Sequence, residues 1–156
     1  MPINFPKLFV SIFICFLAGL IGSIFTFSAI PTWYAGLVKP WFSPPNFLFA
    51  PVWTILYVLM GIALYLIWRK GFQENKTSIK IFFVQLLLNA FWSIVFFGFK
   101  QLFNAFIVII FLWISILACI LLFYKIDKKA SYLLIPYLAW VSFAGILNYS
   151  VWALNG

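Results

Sequence analysis

The ten Lys and Arg residues and two acids of this 156-residue chain are grouped so that five long stretches, 8–38, 40–68, 81–99, 101–124 and 130–156, carry no charge. Each stretch can hold the roughly 20 residues that a helix needs to cross the hydrocarbon of a bilayer. Soluble domains carry a charge at about every fourth residue, so this distribution points to a membrane protein with several spans. Period-two alternation over segments of about 10 residues, as in an outer-membrane strand, is absent, which favours helices over a barrel. The bulk composition agrees, with 67% apolar residues, 8% charged residues and a mean hydropathy of +1.16.

The expected fold class is therefore an all-α integral membrane protein, a five-transmembrane-helix bundle forming one domain over residues 1–156. The helices are expected near 8–30, 47–68, 79–99, 103–124 and 132–154. Pro31 closes the first span, Pro44, Pro45 and Asn46 precede the second, and Gly71 follows its end. Pro51 falls in the first turn of the second helix, where proline is tolerated, whereas Pro136 lies about one turn into the fifth and predicts a local bend. The run from Leu8 to Ile30 exceeds the about 7–15 residues of a signal-peptide core and is expected to stay in the protein as a span.

Eight cations (Lys7, Arg69, Lys70, Lys76, Lys80, Lys125, Lys128, Lys129) fall on the N-terminal side of the spans, against Lys39 and Lys100 on the other. This bias predicts a cytoplasmic N-terminus, an outward 31–46 loop and an outward C-terminus in a bacterial cytoplasmic membrane. The net charge of +8 reflects that topology and suits anionic lipid headgroups; it does not call for nucleic acid.

Much chemistry is excluded by what the chain lacks. It has no His, and its acids, Glu74 and Asp127, lie in connecting loops on the basic side. A membrane-embedded proton carboxylate, a His/Cys/Asp/Glu metal cluster, a Ser-His-Asp triad and paired glycosidic carboxylates are all missing. No metal or cofactor is expected. Radical or photochemical work by aromatic side chains remains open, so the sequence does not decide whether the protein is an enzyme. Cys15 and Cys119 lie inside apolar runs and read as small hydrophobes.

The aromatic residues are more informative. Trp53, Tyr57, Gly61, Tyr65 and Trp68 recur at spacings of three or four, forming a stripe on the second span. Trp53 and Trp68 are about 22 Å apart along the helix, so they fit the two interfaces of a bilayer, or Trp53 fits a pocket wall. Gln85, Asn89 and Ser93 share a face of the third span. Amides there should face the bundle, either bonding between helices or giving a ligand cavity one of its few polar groups. The fifth span aligns Tyr137, Trp140 and Ala144, with Asn148 a turn further on. A cavity bounded by Trp53, Asn89 and Trp140, with space left at Ala144, would suit a flat aromatic ligand. The loop before the second span is expected to cover it, stiffened by Pro31, Pro40, Pro44 and Pro45 and lined beneath by Trp33, Tyr34, Trp41 and Phe42. Lys39 and Lys100 are there to pair with an anionic group, or simply to snorkel.

Three stretches, WYAGLVKPWFSPPNFLFAPVWTILY from Trp33, LLLNAFWSIVFFGFKQ from Leu86 and IPYLAWVSFAGILNYSVWALN from Ile135, resemble the TspO/MBR family over nearly the whole chain. That family comprises the tryptophan-rich sensory proteins and the translocator proteins, or peripheral-type benzodiazepine receptors. The resemblance implies a five-helix bundle, commonly a homodimer, whose cavity binds porphyrins (protoporphyrin or heme-like) and synthetic benzodiazepine-site ligands. Its ligand-contacting positions fall on Tyr34, Pro44, Trp53, Asn89, Trp140 and Ala144. It also implies three functional alternatives: a porphyrin receptor or carrier with a sensory role, a light- and oxygen-dependent protoporphyrin-degrading enzyme using Trp53 and Trp140, or a regulatory membrane interaction protein. LNYSVW from Leu147 begins the family's cholesterol pattern, but no Lys or Arg follows Trp152, so the pattern is broken. Ala18, Gly22, Gly19 and Ser23 form small-xxx-small pairs that permit close helix contact, between chains or within one.

Overall fold

The computed structural model describes residues 2–156. The first helix begins where its capping chemistry does. Asn4 accepts the Lys7 N–H through its side-chain oxygen at 3.2 Å, and Pro6 sits in the first turn, where its missing N–H costs nothing. Helix α1 therefore runs Phe5–Ala29, starting before the expected Leu8 because the cap lies outside the apolar run. Helix α2 spans Phe49–Trp68, preceded by a 3₁₀ turn at Asn46–Leu48. Gly71, at φ +118, reverses the chain after α2 in a conformation that L side chains rarely adopt.

Helix α3, Lys76–Ser93, continues into a π-helical turn over Ile94–Gly98, where the Phe99 N–H donates to the Ile94 carbonyl at 2.8 Å. Val95, Phe96 and Phe97 of that turn are all buried, and π-turns of this kind are rare inside helices. Lys100, at φ 58, then turns the chain into α4, Leu102–Tyr124. The fifth span is broken, not merely bent. Helix α5, Lys128–Leu133, is capped by the Asp127 side chain, and α6, Ile135–Asn155, restarts past Leu134 with Pro136 in its first turn. Proline is well placed at the start of a new helix, and this explains the break.

Around the bundle, α1 packs between α2 and α3, α4 packs between α3 and α6, and α5 closes the ring against α2. Cys15, Met60, Phe82, Phe123 and Tyr137 fill the centre, and both cysteines are buried free thiols. The outer faces are as apolar as the core: Phe9, Phe13, Leu20, Phe27, Leu87, Phe111 and Leu121 are all exposed. Water would not tolerate such a surface, and hydrocarbon favours it. Five helical segments are long and apolar enough to span a bilayer.

The α1–α2 contact depends on one missing side chain. A Cβ on Gly61 would lie 2.5 Å from the Ile12 Cα. The small residues of α1 have partners in the same chain: a Cβ on Gly19 would meet the Tyr57 ring at 2.6 Å, and one on Gly22 would meet Ser93 at 3.1 Å. At the basic end, Tyr65 accepts the Asn4 N–H at 2.8 Å, and the Lys7 ammonium lies 5.2 Å from the centre of the Trp68 ring. Trp68 thus sits in a cation–π contact at the level where its span ends.

Candidate functional site

The aromatic stripe of α2 faces α6 across the upper half of the bundle. Trp53 stacks on Tyr57 at 5.7 Å between ring centres and meets Tyr137 edge-on at 6.3 Å. Phe49, one turn before Trp53, meets both Trp140 of α6 and Tyr34 of the loop edge-on, at 6.2 and 6.5 Å. These contacts wall an enclosed cavity whose lining includes Tyr34, Trp53, Trp140 and Ala144, together with Trp92, Phe96 and Phe97 from the third span. Its volume in this conformation is about 20 Å³, room for about one water molecule. A flat aromatic ligand fits only if the walls move. The ring of Trp140 lines this cavity, and its indole nitrogen is buried without a hydrogen-bond partner.

Asn89 lies outside that lining. Its side chain is 2% exposed and both its polar atoms are engaged: the Tyr57 hydroxyl donates to Asn89 Oδ1 at 2.6 Å, and Asn89 Nδ2 donates to the Tyr137 hydroxyl at 2.8 Å. Tyr137 in turn donates to Gln85 Oε1 at 2.8 Å. The third-span amides therefore tie α2, α3 and α6 together beneath the cavity. A second link runs from the Trp92 indole N–H to Asn148 Oδ1, and from Asn148 Nδ2 to the Leu102 carbonyl, both at 2.9 Å.

Replacing Asn89 by Ala should orphan the Tyr57 hydroxyl and break the α2–α3–α6 link. The expected cost is about 1–2 kcal/mol, scaled down from aqueous values because a membrane protein's unfolded state finds partners too. Thermal unfolding in detergent should show a lower midpoint for Asn89→Ala than for Ser93→Ala, whose hydroxyl takes no part in this chain of bonds.

The loop closes the cavity from above. Tyr34 is the deepest of its residues at 2% exposure, packed on Phe96 and Phe97, and burial pushes its pKa up, keeping the phenol neutral. Trp33 contacts Phe96, and Phe42 contacts Phe143 of α6. Trp41 departs from the expected underside: it is 95% exposed and points away from the bundle. Pro44 is half-buried but is not part of the cavity wall. Lys39 lies with its ammonium 4.8 Å from the centre of the Tyr34 ring and donates to the Ala35 and Leu37 carbonyls, so it stitches the loop to itself. Lys100 is exposed on the neighbouring turn. The last turn of α6 fastens the loop from the other side: Asn155 accepts the Val38 N–H at 3.0 Å and donates to the Val38 carbonyl at 2.8 Å.

A larger space also borders Trp53. A groove of about 490 Å³ runs between α1 and α2 over the third span, and Phe49, Trp53, Trp92 and Phe97 line both it and the closed cavity. Phe49, Phe96, Phe97 and Asn155 were not singled out from the sequence. The first three sit in runs where every residue is apolar, and Asn155 acts through a loop 117 residues away in sequence.

These features define a multi-pass integral membrane protein in which a tryptophan-walled cavity sits under a latched loop. Residues 11–153 match the TspO/MBR family, and the chain belongs to it. It is 45% identical over 152 residues to the tryptophan-rich protein TspO of Archaeoglobus fulgidus, covering 97% of this chain and 99% of that one. It is 42% identical to the tryptophan-rich protein TspO of Chlorobaculum tepidum, covering 91% of each chain. The translocator protein of Homo sapiens is 38% identical over 138 residues, 86% of this chain and 82% of its own.

Proposed function

We propose that this chain is a membrane receptor or carrier for flat tetrapyrroles of the porphyrin type. The observation that carries the reading is the arrangement of Trp53, Trp140 and Tyr34 around one cavity, with the Trp140 N–H left unpartnered. Large rigid rings on several sides favour a planar apolar ligand, and one or two polar groups orient it. Asn89 supports the floor through Tyr57 and Tyr137, so its part in binding is to hold Trp53 in place. The charge bias supports an outward loop and C-terminus and a cytoplasmic N-terminus.

A second reading, light-driven oxidation of the porphyrin, has its own support. Trp53 is in ring contact with Tyr57 and Tyr137, a set of oxidisable side chains next to the place the ligand would occupy. One experiment separates the two. Purified protein in nanodiscs, mixed with protoporphyrin IX, should show a saturable shift of the porphyrin absorption band. For a receptor or carrier, illumination in air leaves that band intact. Loss of the band that needs both light and oxygen, and that Trp140→Phe abolishes, would assign the oxidative activity instead.

A further inference from the structure

The cavity is shut from the loop side, and on the membrane side an open groove reaches the Trp53 ring that walls it. On the loop side, the Val38 backbone is held by both polar atoms of the Asn155 amide, Tyr34 is buried under the loop, and Phe42 is packed on Phe143. On the membrane side, the 490 Å³ groove between α1 and α2 lies within the roughly 300–1,000 Å³ usual for small-molecule sites. Its rim is formed by exposed Phe27, Phe47 and Ala50, and its depth is set by Gly19, Gly22 and Ser23. The hydroxyls of its α1 wall are already used, Ser23 donating to the Leu20 carbonyl at 2.8 Å and Thr26 to the Gly22 carbonyl at 2.9 Å. Little on that wall would hold water, so its natural occupant is an apolar molecule already dissolved in the bilayer.

Between groove and cavity stands Trp53. Trp92, which also lines both spaces, is tied by its indole N–H to Asn148. Among the described residues no hydrogen bond ties the Trp53 indole, whose ring packs on Tyr57 and Tyr137. A rotation of Trp53 would join the two spaces while the Asn155 bonds to Val38 stay in place.

We infer that the ligand reaches the Trp53–Trp140 cavity from within the bilayer, through the α1–α2 groove, with the Trp53 ring as the moving partition and the loop still latched by Asn155. This rests on the porphyrin reading given above and specifies its route. The groove holds the same flat, membrane-soluble ligand in transit.

The test uses protoporphyrin IX supplied in lipid vesicles, with binding to the reconstituted protein followed by stopped-flow quenching of tryptophan fluorescence. Ser23→Leu adds bulk at a half-buried groove position, and Asn155→Ala releases the loop. A gate on the path should slow association and dissociation together, so Ser23→Leu is expected to lower both about tenfold while the equilibrium constant stays within about threefold. Asn155→Ala should leave the association rate within about twofold of wild type. Unchanged rates in Ser23→Leu overturn the lateral route, and so does a clearly faster association in Asn155→Ala, which would place access at the loop. Wild-type protein that shows no saturable quenching overturns the porphyrin reading itself, a different result from wild-type binding with insensitive rates.

Discussion

Trp53→Ala is expected to weaken protoporphyrin binding about a hundredfold, equivalent to about 3 kcal/mol. Trp53 contributes in two ways. Its ring forms a wall of the cavity, and its stacking on Tyr57 keeps the Tyr57 hydroxyl aligned with Asn89 at 2.6 Å. Removing the indole also merges the closed cavity with the α1–α2 groove, because Trp53 lines both. A ligand in the variant thus loses a rigid aromatic face and gains a leak to the bilayer. Equilibrium titration should show the affinity loss without a matching loss of thermal stability, since Trp53 is only half-buried. Trp53→Phe should recover part of the affinity by restoring a ring. If Trp53→Ala binds as wild type does, the cavity is not where the porphyrin sits.

Gly61→Ala should damage the fold strongly, by about 2–3 kcal/mol. The added methyl would fall 2.5 Å from the Ile12 Cα and 2.9 Å from its backbone nitrogen, so a side-chain rotation cannot relieve the clash. Helix α1 must shift, and with it Gly19, which accommodates the Tyr57 ring, and Gly22, which faces Ser93. The damage therefore reaches the site as well as the seam. Gly145 is the control: a Cβ there meets only an Ile109 methyl at 3.8 Å, and Gly145→Ala should be nearly neutral or slightly stabilising, because alanine is the better helix former. Unfolding midpoints in detergent, compared across the two variants, measure the difference directly. Equal midpoints would mean that α1 and α2 do not approach as closely as described.

The spans were legible because hydrocarbon excludes charge, and the charge-free intervals alone limit where helices can lie. Their irregularities were harder to read. The π-helical turn at Ile94–Gly98 sits in the run IVFFG, where nothing in residue type separates an i→i+4 bond from an i→i+5 one. The break at Leu134 was signalled by Pro136, but as a bend, because a proline one turn into a helix and a proline opening a new helix look alike in sequence.

The site was legible in the same uneven way. Periodicity put Trp140 and Ala144 on one face and Trp53 in a stripe that fitted either an interface or a pocket wall, and all three line one cavity. Periodicity also turned Asn89 inward, but whether its amide meets a ligand or other helices depends on the relative heights of α2, α3 and α6. Tyr57 and Tyr137 arrive at its level and take both of its polar atoms. In the loop no periodicity operates, so buried Tyr34 and exposed Trp41 were indistinguishable as aromatic residues between prolines.

The most direct test of the central claim is an equilibrium titration of the reconstituted protein with protoporphyrin IX, comparing wild type with the double variant Trp53→Ala, Trp140→Phe and reading the porphyrin absorption band in the dark. Saturable binding is expected for the wild type and none for the folded double variant over the same concentration range. Saturable binding of equal affinity in both would contradict that expectation, because the porphyrin would then be held without the two tryptophans that wall the cavity.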